Sequence, residues 1–236
     1  MTSDVQYQPI PDALRDKINL FKTATELRKF QISTRSDTIF VNLNYLAELS
    51  EYFHVLRTGS YTENTSEKVV FDDVYTEDLV IFLSYVCPEG FVFDRTINQH
   101  NIASLVCFSD RFIVPWVKHE IKKYFKSEDF KKEQYETESL IQLCYLLHAR
   151  AYTFVDYCNP RAQYKYYFSS ADVDPVFQKI ARFSDVAQVD QAVATVPDKD
   201  TRVYITERII FFRPYIFQPR TQSFFDWNDN RARLFF

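Results

Sequence analysis

The chain has 236 residues and a formal net charge of −4, with four histidines, four cysteines and only two glycines, Gly59 and Gly90. So few glycines exclude the phosphate-cradling loops of nucleotide-binding folds, where several are needed for the backbone to approach the ligand. A mildly acidic chain also offers no overall field to attract nucleic acid.

Taken in chain order, Asp12 to Phe21 places Leu14, Ile18 and Phe21 on one helical face behind Pro9 and Pro11. Leu27 to Ser33 and Thr38 to Asn42 are short β-branched and aromatic runs that suit a hairpin around Thr34-Arg-Ser-Asp37. Leu43 to Phe53 switches to helical spacing, with Leu46, Leu49 and Phe53 aligned. A polar loop, Gly59 to Lys68, leads to a strand at Lys68 to Phe71 and an acidic turn. There Thr76 is expected to cap a helix carrying Leu79, Phe82, Leu83 and Val86, which stops at Cys87-Pro88. Helices are predicted over Asn101 to Phe112, Trp116 to Phe125 and Glu138 to Ala151, the last with Leu140, Leu143, Cys144 and Leu147 inward. Asp174-Pro175 is expected to open another helix, proline suiting its first turn. The stretch from Ala192 to Phe212 reads as a β-hairpin around a Pro-Asp turn, and an aromatic tail follows.

Three of these stretches, in this order, resemble the BTB (POZ) domain family. They are Leu46-Ala-Glu-Leu-Ser50-Glu-Tyr-Phe53, then Phe71-Asp-Asp-Val-Tyr-Thr-Glu-Asp-Leu79 with Phe82-Leu-Ser-Tyr85, then Leu105 to Val114-Pro115 with its Ser-Asp-Arg-Phe step. The resemblance covers residues 23–126. It implies an α+β fold, a small sheet flanked by helices, preceded by an N-terminal helix over residues 1–22. Residues 127–190 form a helical extension whose Leu-Leu-His-Ala-Arg-Ala-Tyr152 weakly echoes the helices that follow many such domains. Residues 191–236 match no family in this reading. The chain departs from the family at two points. Asn42 or Asn44 stands where an imidazole is common, so contacts needing that histidine are not carried over. Thr25-Glu26 stands where an aspartate usually opens the first strand.

The resemblance implies a non-catalytic protein-interaction module, an adaptor that joins a cullin scaffold of a ubiquitin ligase to an unknown protein substrate. In the family, an apolar residue and a glutamate two positions later follow the second helix pair and contact the cullin; here Tyr61 and Glu63 occupy that place. Relatives place a two-fold contact on the helix before the first strand, which makes Leu14, Ile18 and Phe21 candidates for homodimer contact, against packing on their own chain. Phe224, Phe225, Trp227, Arg231 and Arg233 are residue types that anchor interfaces and form a candidate partner surface. The alternative is a dimerising scaffold that does not bind cullin.

Nothing in the sequence argues for catalysis or a cofactor. His54, His100, His119 and His148 lack metal-ligand spacing. Ser50 lacks the glycine-flanked elbow of a nucleophile, and is read as a helix residue bonded to nearby backbone. The lysines at 118, 122, 123, 126, 131 and 132 read as the solvated face of helices whose aromatics form a core stripe, not as a nucleic-acid patch. Cys87, Cys107, Cys144 and Cys158 are widely spaced, as reduced thiols of an intracellular protein would be. No run approaches the roughly 18 apolar residues of a membrane span, and no signal peptide is evident. The expected setting is the cytoplasm or nucleus.

Overall fold

The computed structural model describes residues 12–59, 62–87, 95–151 and 168–213. Within them the chain is mixed α+β, with helices around a small three-stranded sheet. Helix α1, Asp12–Lys22, precedes β1, Phe30–Thr34, and β2, Thr38–Val41. Strands β1 and β2 pair antiparallel, Ile32 facing Ile39, around the turn expected from Thr34 to Asp37. Strand β3, Lys68–Phe71, pairs parallel to β1 on its other edge, Ile32 opposite Val69. Burial alternates along β2 and β3, so Ile39, Val41, Val69 and Phe71 face the core with Phe30 and Ile32.

A parallel pair needs a long crossover. Helices α2, Leu43–Leu49, α3, Glu51–Thr58, and α4, Thr62–Thr65, lie within it. The sequence reads Leu43 to Phe53 as one helix; the structure breaks it at Ser50. Ser50 Oγ accepts from the Phe53 N–H at 3.1 Å and donates to the Phe112 carbonyl at 2.5 Å, so it caps α3 and ties it to a turn 62 positions away. Thr76 likewise takes a different role. It is the first residue of α5, Thr76–Val86, without capping it, and its buried hydroxyl meets those of Thr34 and Ser36.

Helices α6, Ile102–Arg111, and α7, Pro115–Lys126, follow, with Pro115 in the first turn of α7 where its missing N–H costs nothing. The expected core stripe is present as Ile121, Tyr124 and Phe125. The lysines are not simply a solvated face. Lys118 is buried and its ammonium sits 2.6 Å from Asp110, while Lys122 and Lys126 both reach Asp172.

The remaining helices are α8, Glu128–Lys132, α9, Thr137–Ala151, α10, Ser170–Phe183, α11, Val186–Ala194, and α12, Lys199–Phe212. Helix α9 touches α6, α10, α11 and α12. One apolar core therefore runs from Ile18 through the sheet to Ile209. Two expectations are corrected here. Helix α10 starts at Ser170, and Pro175 lies inside it. The hairpin expected over Ala192 to Phe212 is instead α11, ending at Ala194, and the whole of α12. Asp185 and Asp198 cap these helices by accepting backbone N–H groups, and Val189, Ala192, Val193 and then Thr201, Ile205, Ile209 recur at helical spacing on the buried side. That periodicity overrides the strand preference of their β-branched residues.

Candidate functional site

Helix α6 ends in a tight turn that builds one wall of a groove. The Val114 N–H bonds the Ser109 carbonyl at 2.8 Å and the Ile113 N–H bonds Asp110 at 3.1 Å. This is the Schellman pattern, whose left-handed position usually carries glycine. Here Ile113 holds it at φ 53°, and a β-branched residue in that region is strained by roughly 1–2 kcal/mol. The turn's carbonyls face α3: Phe112 and Ile113 accept from the Tyr52 and Glu51 N–H groups at 3.4 and 3.3 Å. The open first turn of α3 is thereby closed by the same turn that strains Ile113.

Between α3, α4 and this turn lies a groove of about 410 Å³ lined by Glu51, Tyr52, Val55, Leu56, Glu63 and Ile113. Its lining combines apolar side chains with two acidic ones, Glu51 and Glu63. Val55 is 50% exposed, off the buried stripe formed by Phe53 and Leu56. Beneath the groove Tyr52, Phe53, Phe71, Phe82 and Phe108 surround Phe112, ring centroids 4.9–5.8 Å from it. Arg111 lies over the Phe71 ring and grips Asp73 through both carboxylate oxygens, at 2.6 and 2.8 Å. The Asp73 carboxyl is held low chiefly by that bond. Burial pushes the Tyr52 phenol up, Arg111 opposing and Glu63 adding to the shift. Tyr52 stays a neutral hydroxyl in the groove wall.

Of the residues singled out from sequence, Glu63 lies in this groove, on α4, with Thr62 Oγ1 donating to its carboxylate at 3.2 Å. Tyr61 lies outside the described residues, as do Phe224, Phe225, Trp227, Arg231 and Arg233. The α1 face expected at a two-fold contact is already occupied. Ile18 and Phe21 are buried, Leu14 packs against the same core, and α1 rests on α5 and β2 of its own chain. Tyr52, Val55, Leu56 and Ile113 are groove residues that the sequence reading missed. The signal for Val55 was present, as an apolar residue between buried Phe53 and Leu56 that neither shares their face nor is polar. No glycine flagged the turn at Ile113.

Among the described residues, no group of three or more histidine, cysteine, aspartate or glutamate side chains is arranged to hold a metal, and no helix is long and apolar enough to cross a membrane. Among the described residues Cys87, Cys107 and Cys144 form no disulfide, and burial pushes the Cys87 thiol up to about 12, away from reactivity. Against known proteins, the chain matches no family model and no curated sequence.

Proposed function

We propose that the chain is a BTB-type interaction module that docks a helical segment of a cullin scaffold in the groove between α3, α4 and the α6–α7 turn. The observation that carries this reading is the position of Glu63. The glutamate picked out by sequence resemblance borders a groove of about 410 Å³ whose other lining residues the resemblance did not assign to a partner contact. Tyr52, Val55, Leu56 and Ile113 offer an apolar bed for a partner side chain, and Glu51 and Glu63 offer acceptors to donors beside it. The sheet is in keeping with the same reading: β1 joins β2 by a tight turn and β3 by a long crossover. The module would then act as a non-catalytic ubiquitin-ligase adaptor.

Calorimetry of the full chain with a cullin N-terminal domain tests it. Glu63→Ala and Val55→Asp should each weaken binding, and Tyr61→Ala should do so by about 2 kcal/mol, roughly thirty-fold. Melting temperatures should hold, because Val55 is half exposed and Glu63 lies outside the buried core. If the unaltered protein binds no cullin, the adaptor reading fails. A concentration-dependent sedimentation coefficient would then favour the dimerising scaffold.

A further inference from the structure

A second concavity, of about 750 Å³, opens on the helical half between the α8–α9 connection and helices α10 and α11. Its wall includes Lys179, which is only 7% exposed. Burying an ammonium is costly unless its charge is compensated. Lys179 lies on α10, and its Nζ donates to the carbonyls of Phe130 and Lys131, the latter at 3.2 Å. Those carbonyls belong to the last turn of α8, which no helical N–H can satisfy. The rings of Phe130, Tyr135 and Phe183 stand 4.9, 5.3 and 5.8 Å from the same nitrogen. The ammonium has three N–H groups and two carbonyl acceptors, and among the described residues it has no carboxylate within ion-pair distance.

The carboxylate whose field acts on Lys179, Glu133, is already engaged. Glu133 accepts from the Gln99 N–H at 3.0 Å with one oxygen and from the Tyr124 hydroxyl with the other. Because a carboxylate can only accept, Tyr124 spends its proton there, and the 2.6 Å contact between the two phenols is donated by Tyr135. Glu133 thus contributes field without pairing. Burial lowers the Lys179 pKa and Glu133 opposes the shift.

We infer that this cavity is a binding site for a carboxylate-bearing peptide, with Lys179 as the buried counter-charge. A pocket of this size suits a ligand of a few residues. Its apolar wall includes Leu140 and Phe183, while the Gln188 and Gln191 amides can bond a peptide backbone. Glu136 and Glu138 stand exposed on the lining with Lys131 and Lys132, so the exposed charges balance and the buried Lys179 supplies the single positive charge that a carboxylate would match. The site is independent of the α3–α4 groove. The carboxylate can come from a chain terminus or from an acidic side chain.

The test is an NMR titration of the full chain, lysine side chains labelled with ¹³C and ¹⁵N, with three blocked peptides: acetyl-tetra-alanine as the free acid, the same peptide as its amide, and an amidated peptide with one internal glutamate. At least one acid should shift the Lys179 signals saturably, with a Kd on the order of 1 mM, and the amide should bind at least tenfold more weakly. A response to the free acid alone assigns a chain terminus; a response to the glutamyl peptide assigns a side chain. In the unaltered protein Lys131 and Lys132, which share the lining, should also shift saturably, and Lys179→Met should abolish those shifts. If that variant does not fold, the exposed Gln191→Glu, which puts a like charge on the lining, should weaken binding about tenfold with the melting temperature unchanged. An amide that binds as well as the acids, no saturable shift with either acid, or unweakened binding in Gln191→Glu overturns the inference.

Discussion

Ile113 makes the sharpest statement at the scale of a single residue. Alanine normally outranks glycine where backbone geometry is ordinary, because glycine loses more freedom on folding. At φ 53° the order should invert. Both Ile113→Gly and Ile113→Ala remove the same half-buried side chain beyond Cβ, but only alanine retains the steric clash of the left-handed region. Ile113→Gly is therefore expected to be more stable than Ile113→Ala by about 1 kcal/mol, read from urea denaturation midpoints. The reverse order would mean that the turn relaxes out of the left-handed conformation. Burial at this scale was also the least legible in sequence. Lysine is ordinarily a surface residue, and nothing local distinguishes Lys118 or Lys179 from Lys123, which is exposed and pairs within its own helix. What buries them is an acceptor supplied by another element: Asp110 for one, the end of α8 for the other.

Between elements, Asp172 joins α7 to α10. Its carboxylate accepts from the Ser169 N–H and hydroxyl at 3.1 and 2.7 Å, and Lys122 and Lys126 approach it at 3.2 and 3.0 Å. Burial alone would raise its pKa, but the Ser169 and lysine donors outweigh it and hold the carboxyl well below its usual 3.8. A depressed folded pKa contributes stability that is fully present above the unfolded value and fades as pH falls below it towards the folded one. Asp172→Asn should thus cost about 2 kcal/mol at neutral pH, and the gap in melting temperature between the two proteins should close as pH drops below about 4. A gap independent of pH would remove the charge from the explanation. Elements were legible where apolar spacing and punctuation agreed: the strand pair around Asp37, the helix stopping at Cys87, and the helix from Trp116, one residue after the observed start of α7. They were misread where composition and spacing disagreed, as in α11 and α12, whose valines, isoleucines and threonines suggest strands while their spacing and aspartate caps specify helices. The break between α2 and α3 was invisible because the partner that fixes Ser50 there is a carbonyl 62 positions away.

For the whole molecule, the continuous core leaves no seam between the sheet-bearing half and the helical half. Phe177, fully buried in α10, lies far along the chain from β1 yet in the same core. Phe177→Ala should cost about 3–5 kcal/mol, and it should speed global-limit hydrogen exchange of β1 amides as much as those of α12. Acceleration confined to the helical half would show that the halves unfold separately. The sequence reading divided the chain near residue 126, and the division was reasonable on local grounds. The contact of α9 with α6 crosses that boundary and joins segments with no mutual signature. The shared core also fixes the distance between the groove beside α3 and the cavity beside α10. A partner long enough to grip both would find the second site already positioned at high effective concentration, and its avidity would be set by the length of its own linker rather than by any hinge in this protein.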